Sequence, residues 1–187
     1  MSPRFDFLPT SLVNLSVIHR RPFEDDRGSF ARLFCAEEFR EISLSKPIVQ
    51  INHSFTRRKG AVRGLHFQYA PHAETKIVTC LKGSIFDVAV DLRPDSPTFL
   101  RWHGEALSGG NRRSLVIPEG FAHGFQTLEE DCELLYFHTD YYVPAAEGGL
   151  NVADPRVGID WPLPIADLSE RDRTHPCISA DFAGVCL

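Results

Sequence analysis

Three segments concentrate the side chains that could do chemistry. The first is Gly60-Ala61-Val62-Arg63-Gly64-Leu65-His66-Phe67-Gln68, followed by His72, Glu74 and Lys76. The second is Pro118-Glu119-Gly120-Phe121-Ala122-His123-Gly124-Phe125, and the third Tyr136-Phe137-His138-Thr139-Asp140-Tyr141-Tyr142. Imidazole titrates at about 6.5, so histidine suits proton transfer near neutrality. His66 and Gln68 lie two residues apart, so in an extended segment they point into one space, with Arg63 on the other parity. A lone histidine in a strand is more often structural than catalytic, and His72 and His138 read as surface or turn histidines.

The elements that must position these groups read mostly as strands. From Ser84 to Leu92, positions 86, 88, 90 and 92 are all apolar, while the odd ones include Asp87 and Asp91. That alternation predicts a strand with one buried and one mixed face. Further strands are predicted at Ser16–His19, Pro47–Thr56, Lys76–Leu81, Leu100–Leu107, Arg113–Ile117, Phe125–Leu128 and Glu133–Tyr141. Turns such as Lys82-Gly83 and Pro118-Glu119-Gly120 between them suit an antiparallel sandwich or barrel. Helical signals are confined to two turns at Ala36–Ile42 and a short segment opening at Leu168–Asp172. An eight-stranded barrel can enclose one small ligand, so polar strand positions are candidates to line a pocket.

With 187 residues, 43% hydrophobic and 24% charged, the chain is long enough for one domain with a full core. No linker, repeat or low-complexity run divides it. A net charge of -5 carries no basic footprint for nucleic acid. No stretch approaches the roughly 20 apolar residues of a membrane span, and the N-terminus lacks an apolar signal core. Five cysteines without CxxC spacing indicate reduced thiols and a cytoplasmic protein.

Several stretches, taken in order, resemble the dTDP-4-dehydrorhamnose 3,5-epimerase family of the cupin superfamily. They include Asp26-Arg27-Gly28-Ser29-Phe30, Gln50-Ile51-Asn52-His53-Ser54, Arg63-Gly64-Leu65-His66-Phe67-Gln68 and Phe86-Asp87-Val88-Ala89-Val90-Asp91-Leu92-Arg93. Ser96-Pro97-Thr98-Phe99, Ile117–Phe125, Leu135-Tyr136, Tyr141-Tyr142 and Gly158-Ile159-Asp160-Trp161-Pro162 continue the series, so the match runs from about Val17 to Asp172. The resemblance implies an all-β, cupin-like antiparallel barrel (a jelly roll) with a few short peripheral helices. It implies a single epimerase domain over 1–187, working as a homodimer to which residues 1–45 contribute. The substrate it implies is a nucleotide-diphosphate-linked 4-keto-6-deoxyhexose, inverted at carbon 3, carbon 5 or both through an enolate.

That chemistry needs a base, an acid across the ring and a positive group at the ketone oxygen. In the family pattern His66 matches the base, Asp172 its carboxylate partner, Tyr136 the acid on the other face and Lys76 the cation at the ketone. His123 matches a second pocket histidine. Arg27 and Arg63 match diphosphate-binding arginines, whose planar forks suit phosphate oxygens. Gln50, Asn52, Gln68 and Tyr142 match polar pocket positions, and Phe30 an aromatic near the nucleotide base. No cofactor and no metal are implied. The chain departs from the pattern at Arg32, where many members carry a glutamate that contacts the pyrimidine, and at Ala153. Three rival readings stand beside this one. They are a single-carbon epimerase on another nucleotide sugar, a metal-dependent cupin using His66, Glu74 and His123, and a non-catalytic sugar-binding barrel.

Overall fold

The computed structural model describes residues 3–42, 44 and 46–187. The strands in chain order begin with β1 Phe5–Pro9, β2 Ser16–Arg20, β3 Phe23–Asp25, β4 Gly28–Phe30, β5 Gln50–Thr56 and β6 Ala61–Gln68. They continue with β7 Lys76–Lys82, β8 Ser84–Asp91, β9 Trp102–Ser108, β10 Arg113–Ile117, β11 Phe121–Thr127 and β12 Cys132–His138. Two short strands close the series, β13 Glu147–Gly149 and β14 Asp167–Leu168, before the one-turn helix α1 Glu170–Arg173. One sheet has the order β1-β2-β10-β7-β12-β5 and the other β13-β6-β11-β8-β9, with β14 added to β6. Every pairing except β14 with β6 is antiparallel, and β3 and β4 form a separate hairpin.

This is the antiparallel barrel that strand spacing suited, in the jelly-roll form the resemblance implied, and the eight predicted strands are present, β10 with the predicted ends and the others with shifted ones. The short strands β1, β3, β4, β13 and β14 are additions. Four of them have three residues or fewer, too few to display a period. The two-turn helix predicted at Ala36–Ile42 is a 3₁₀ segment, Glu38–Ile42, that seats Phe39 against Phe5, Phe7 and Phe34.

The central strands of each sheet are covered on both faces. Between the sheets lie Val78, Leu115 and Leu134 from one side and Ile85, Ala89, Leu107, Phe121 and Phe125 from the other. The outer face of the β2–β10–β7–β12 sheet packs Ile18, Ile77, Val116 and Phe137 under the segment that carries Phe39. The outer face of the β6–β11–β8 sheet packs Val62, Leu65, Val88 and Val90 under the C-terminal residues Leu150, Val152, Val157 and Ile178. Each such fully buried aliphatic stabilises the fold by roughly 1.5–3 kcal/mol.

This layering corrects the reading of β8. Its uniformly apolar face (Phe86, Val88, Val90) is the outer one, covered by the C-terminal tail, while Ile85, Asp87 and Ala89 face the interior. Asp91 is buried too. Arg93, Ser96 and Thr98 all hydrogen-bond its carboxylate, so the Ser96-Pro97-Thr98 motif builds a turn away from the cavity described below.

Candidate active site

Interior side chains change character along the strands. On β7 the inward positions are Lys76, then Val78 and Cys80; on β12 they are Cys132 and Leu134, then Tyr136 and His138. One half of the barrel is therefore a packed apolar plug, and the other a polar cavity of about 630 Å³.

Strand β6 supplies the first group. His66 pairs with His123 across β11 and Arg63 pairs with Phe125, so Gly64 and Leu65 stand opposite the single residue Gly124. This bulge reverses the side-chain alternation, and Arg63 and His66 both face the cavity although their parities differ. Leu65 goes outward and is fully buried. A Cβ on Gly64 would lie 2.6 Å from the Cα of Gly124, so the crossing needs glycine.

The C-terminal tail supplies the partner of His66. Strand β14 aligns beside β6, pairing Asp167 with Ala61 and Leu168 with Val62. Ser169 then caps α1, its Oγ accepting from the backbone N–H of Asp172 at 3.1 Å. Asp172 is buried, with Oδ1 2.8 Å from His66 Nε2 and Oδ2 accepting from Gly64 N–H at 3.3 Å. Burial pushes its carboxyl up, but the His66 hydrogen bond and charge, with the Gly64 N–H, hold it down to about 2. An ionised Asp172 accepts the Nε2 proton of His66 and leaves Nδ1 with the lone pair. Arg171 Nη2 lies 3.1 Å from the same Nε2, but a guanidinium has no acceptor to offer it. Its Nη1 is engaged instead by Glu147 at 3.0 Å.

The facing sheet supplies Tyr136 and Lys76, and β11 and β8, beside β6, supply His123 and Asp87. Tyr136 meets Ser54 Oγ at 3.1 Å, and burial raises its phenol well above the ordinary range. Lys76 Nζ lies 3.3 Å from Glu74 and 3.5 Å from the His66 carbonyl oxygen. His123 Nε2 bonds Asp87 Oδ1 at 2.7 Å. Burial drives Asp87 up against that pairing, and its Oδ2 has no hydrogen-bond partner among the described residues.

Ten of the twelve residues singled out in the sequence line this one cavity. Gln68, however, is occupied with backbone: its amide donates to the carbonyl oxygens of His72 and Tyr141 and accepts from Val143 N–H, clamping that loop. The other two, Arg27 and Phe30, sit on the β3–β4 hairpin outside the cavity, with Phe30 74% exposed. Arg32, on the chain just past that hairpin, pairs with Glu38. His138 is no surface histidine. It is buried, lines the cavity, and bonds Glu74 at 2.7 Å. Its even position on a strand shared with Tyr136 is the signal that could have found it. Arg171 and Glu147 also line the cavity, and nothing in the sequence brings them together.

The donor set of the metal-cupin reading does not gather, because Glu74 is held by Lys76 and His138 and His123 by Asp87. Among the described residues, His66, Asp172 and His175 have ligand atoms within 4.8 Å of one another. A cation there would meet the Arg171 guanidinium, 3.5 Å from the same Asp172 oxygen.

A jelly-roll barrel with an imidazole–carboxylate pair on one wall and a phenol and an ammonium on the other is the framework of a cupin-type sugar epimerase. The chain belongs to the dTDP-4-dehydrorhamnose 3,5-epimerase family, whose model matches residues 9–180. It is 48% identical to the dTDP-4-dehydrorhamnose 3,5-epimerase of Pseudomonas aeruginosa, over 87% of this chain and 90% of that one. Against the Salmonella typhimurium enzyme of the same name the identity is 43%, over 91% and 94%. The crystal structure of the dTDP-6-deoxy-D-glucose-3,5-epimerase of Legionella pneumophila in complex with dTDP-4-keto-L-rhamnose superposes with a TM-score of 0.88. Its identity is 39%, over 92% of each chain.

Proposed function

We propose that this protein inverts carbons 3 and 5 of a dTDP-linked 4-keto-6-deoxyhexose. The observation that carries the reading is the opposition of His66, on one sheet, and Tyr136, on the sheet facing it, across a single cavity. Inversion requires a proton to leave one face of the sugar and another to arrive on the opposite face. His66, oriented by Asp172, takes the proton from the carbon beside the ketone. Lys76 stabilises the negative charge that develops on the ketone oxygen, and His123, held by Asp87, helps seat the sugar. Tyr136, kept as a phenol by burial, returns a proton from the far side. Arg63, at the open rim and braced by Thr56 Oγ1 at 3.0 Å, takes the diphosphate.

The whole chain acts as one epimerase domain and works as a homodimer. Arg27 and Phe30, which the family pattern assigns to the substrate, project on a hairpin away from their own cavity, and a second copy offers the cavity they would serve. The thymidine nucleotide follows the family, with Arg32 turned to Glu38. The five unpaired cysteines favour the cytoplasm, and among the described residues no helix is long and apolar enough to cross a membrane.

Incubation with dTDP-4-keto-6-deoxy-D-glucose in heavy water tests the reading. Deuterium is expected at carbons 3 and 5 of the product. Label at one carbon only would make this a single-carbon epimerase, and absence of label at both would overturn the reading.

A further inference from the structure

The cavity holds a row of polar groups that runs up to Lys76 and whose other members have no task in proton abstraction and return. Gln50 and Asn52 stand on inward positions of β5, His138 on β12, Glu74 in the β6–β7 connection and Lys76 at the start of β7. Each lies within hydrogen-bond distance of the next. Tyr142 N meets Gln50 Oε1 at 3.2 Å, Gln50 Nε2 meets Asn52 Oδ1 at 3.1 Å, and Asn52 Nδ2 meets His138 Nε2 at 3.3 Å. His138 Nδ1 then meets Glu74 Oε2 at 2.7 Å, and Glu74 Oε1 lies 3.3 Å from Lys76 Nζ.

The direction of the row follows from its two ends. A backbone N–H can only donate, so Gln50 turns its carbonyl oxygen to Tyr142 and its NH₂ to Asn52. Asn52 must then give its oxygen to Gln50 and its NH₂ to His138. A ring nitrogen facing an NH₂ is an acceptor, so His138 Nε2 carries the lone pair and Nδ1 the proton. At the other end Lys76 can only donate, and Glu74, accepting from both sides, is a carboxylate. Burial raises the Glu74 carboxyl, but the His138 hydrogen bond and the Lys76 charge hold it below the ordinary range.

We propose that this row is a positioning device for the electrophile, in which neutral His138 and ionised Glu74 fix the Lys76 ammonium against the ketone oxygen and tie it to the Tyr142 loop. The inference rests on the reading of Lys76 as the group that stabilises the enolate. A lysine side chain is flexible, and holding it before substrate arrives removes that freedom from the reacting step. The inner members are well shielded, at 7%, 10% and 12% side-chain exposure for Glu74, His138 and Lys76, so their pairing is little screened. Without His138, Glu74 keeps Lys76 as its one strong partner and draws the ammonium away from the sugar. His138 and Glu74 are thus positioning residues.

Nitrogen-15 NMR of the resting wild-type enzyme at pH 8, with His138 assigned by its loss in His138→Gln, reads the row directly. The Nδ1–H tautomer is expected; an Nε2–H tautomer or an imidazolium would overturn the proposal. Kinetics supply the second reading. His138→Phe should lower kcat roughly tenfold, below the 10²–10³ that loss of a transition-state donor itself costs, with KM within about twofold. His138→Gln, whose carboxamide can accept from Asn52 and donate to Glu74, should recover most of that loss. Equal losses in the two variants, or no loss in either, would overturn the row. Lys76→Ala separates the premises: full activity in that variant would refute the role of Lys76, whereas inactivity beside a wild-type His138→Phe would refute the row alone. Should His138→Phe fail to fold, the tautomer in the wild-type protein still decides.

Discussion

His66 and Tyr136 face one cavity from opposite sheets, so on the proposed reading their removal has different consequences. His66→Ala is expected to abolish both exchange of the substrate C–H with solvent and inversion, because general base catalysis supplies roughly 10²–10⁴ in rate. Tyr136→Phe removes the phenol that, on the proposed reading, delivers a proton to the far face. His66 can still return a proton to the face it came from, so exchange should survive while inversion falls much further. Deuterium wash-in compared with product formation measures the two separately, and wild-type wash-in by His66→Ala would show that another group is the base. Asp172 carries a stability prediction of defined sign. Its carboxyl lies lower in the folded protein than in the unfolded chain, at about 2, so the contribution is fully present above about pH 4 and is lost as pH falls through about 2. Discounted for solvent screening, it is on the order of 1–2 kcal/mol. Urea unfolding should find Asp172→Asn less stable than wild type at pH 7, with the gap closing towards pH 2.

Among the elements, β6 is the one on which the site depends. Its bulge brings Arg63 and His66 to the same side, and its pairing with β14 delivers Asp172. Gly64 has a φ of +136°, and a methyl group there would meet the Gly124 Cα at 2.6 Å and the His123 carbonyl oxygen at 3.0 Å. Gly64→Ala should therefore destabilise the fold by roughly 2 kcal/mol or more and lower activity with it. Gly110, where a Cβ would meet nothing nearer than Ser108 Oγ at 4.0 Å, is the control. Gly110→Ala should stay within about 0.5 kcal/mol. Equal unfolding midpoints for the two variants would mean that the close crossing at Gly124 can relax.

At the scale of the molecule, apolar surface remains where a single chain gives it no cover. Strand β5 lies at a sheet edge with Ile51 58% and Phe55 43% exposed on its outer face, and Phe23 and Phe30 are 55% and 74% exposed on the hairpin. An uncovered edge strand with apolar side chains invites association, and closed two-fold dimers are the commonest solution. Light scattering is expected to give twice the 21.0 kDa chain mass, and a monomer at micromolar concentration would refute the dimer. If the hairpin serves a second copy's cavity, Arg27→Ala should raise KM several-fold with kcat little changed, because Arg27 would then bind the diphosphate without touching the reacting carbons.

How much of this was legible in the sequence follows from the range of the forces involved. Strand alternation is local, so the barrel class, the ends of β10 and the shared face of His66 and Gln68 could be read from neighbouring residues. The ordered motifs carried the family and ten residues that line the cavity. Contacts between distant segments could not be read that way. Alternation shows that β8 has an apolar face but not which layer covers it, and here the C-terminal tail took that face and left Asp87 to the interior. Parity set Arg63 apart from His66, and a bulge made by pairing with β11 rejoined them. His138 looked like a turn residue until β12 carried it, as its last residue, into the cavity beside Glu74, a partner 64 residues away. Sequence periodicity records which faces are apolar; only the pairing of segments distant in the chain decides which polar groups end up sharing a proton.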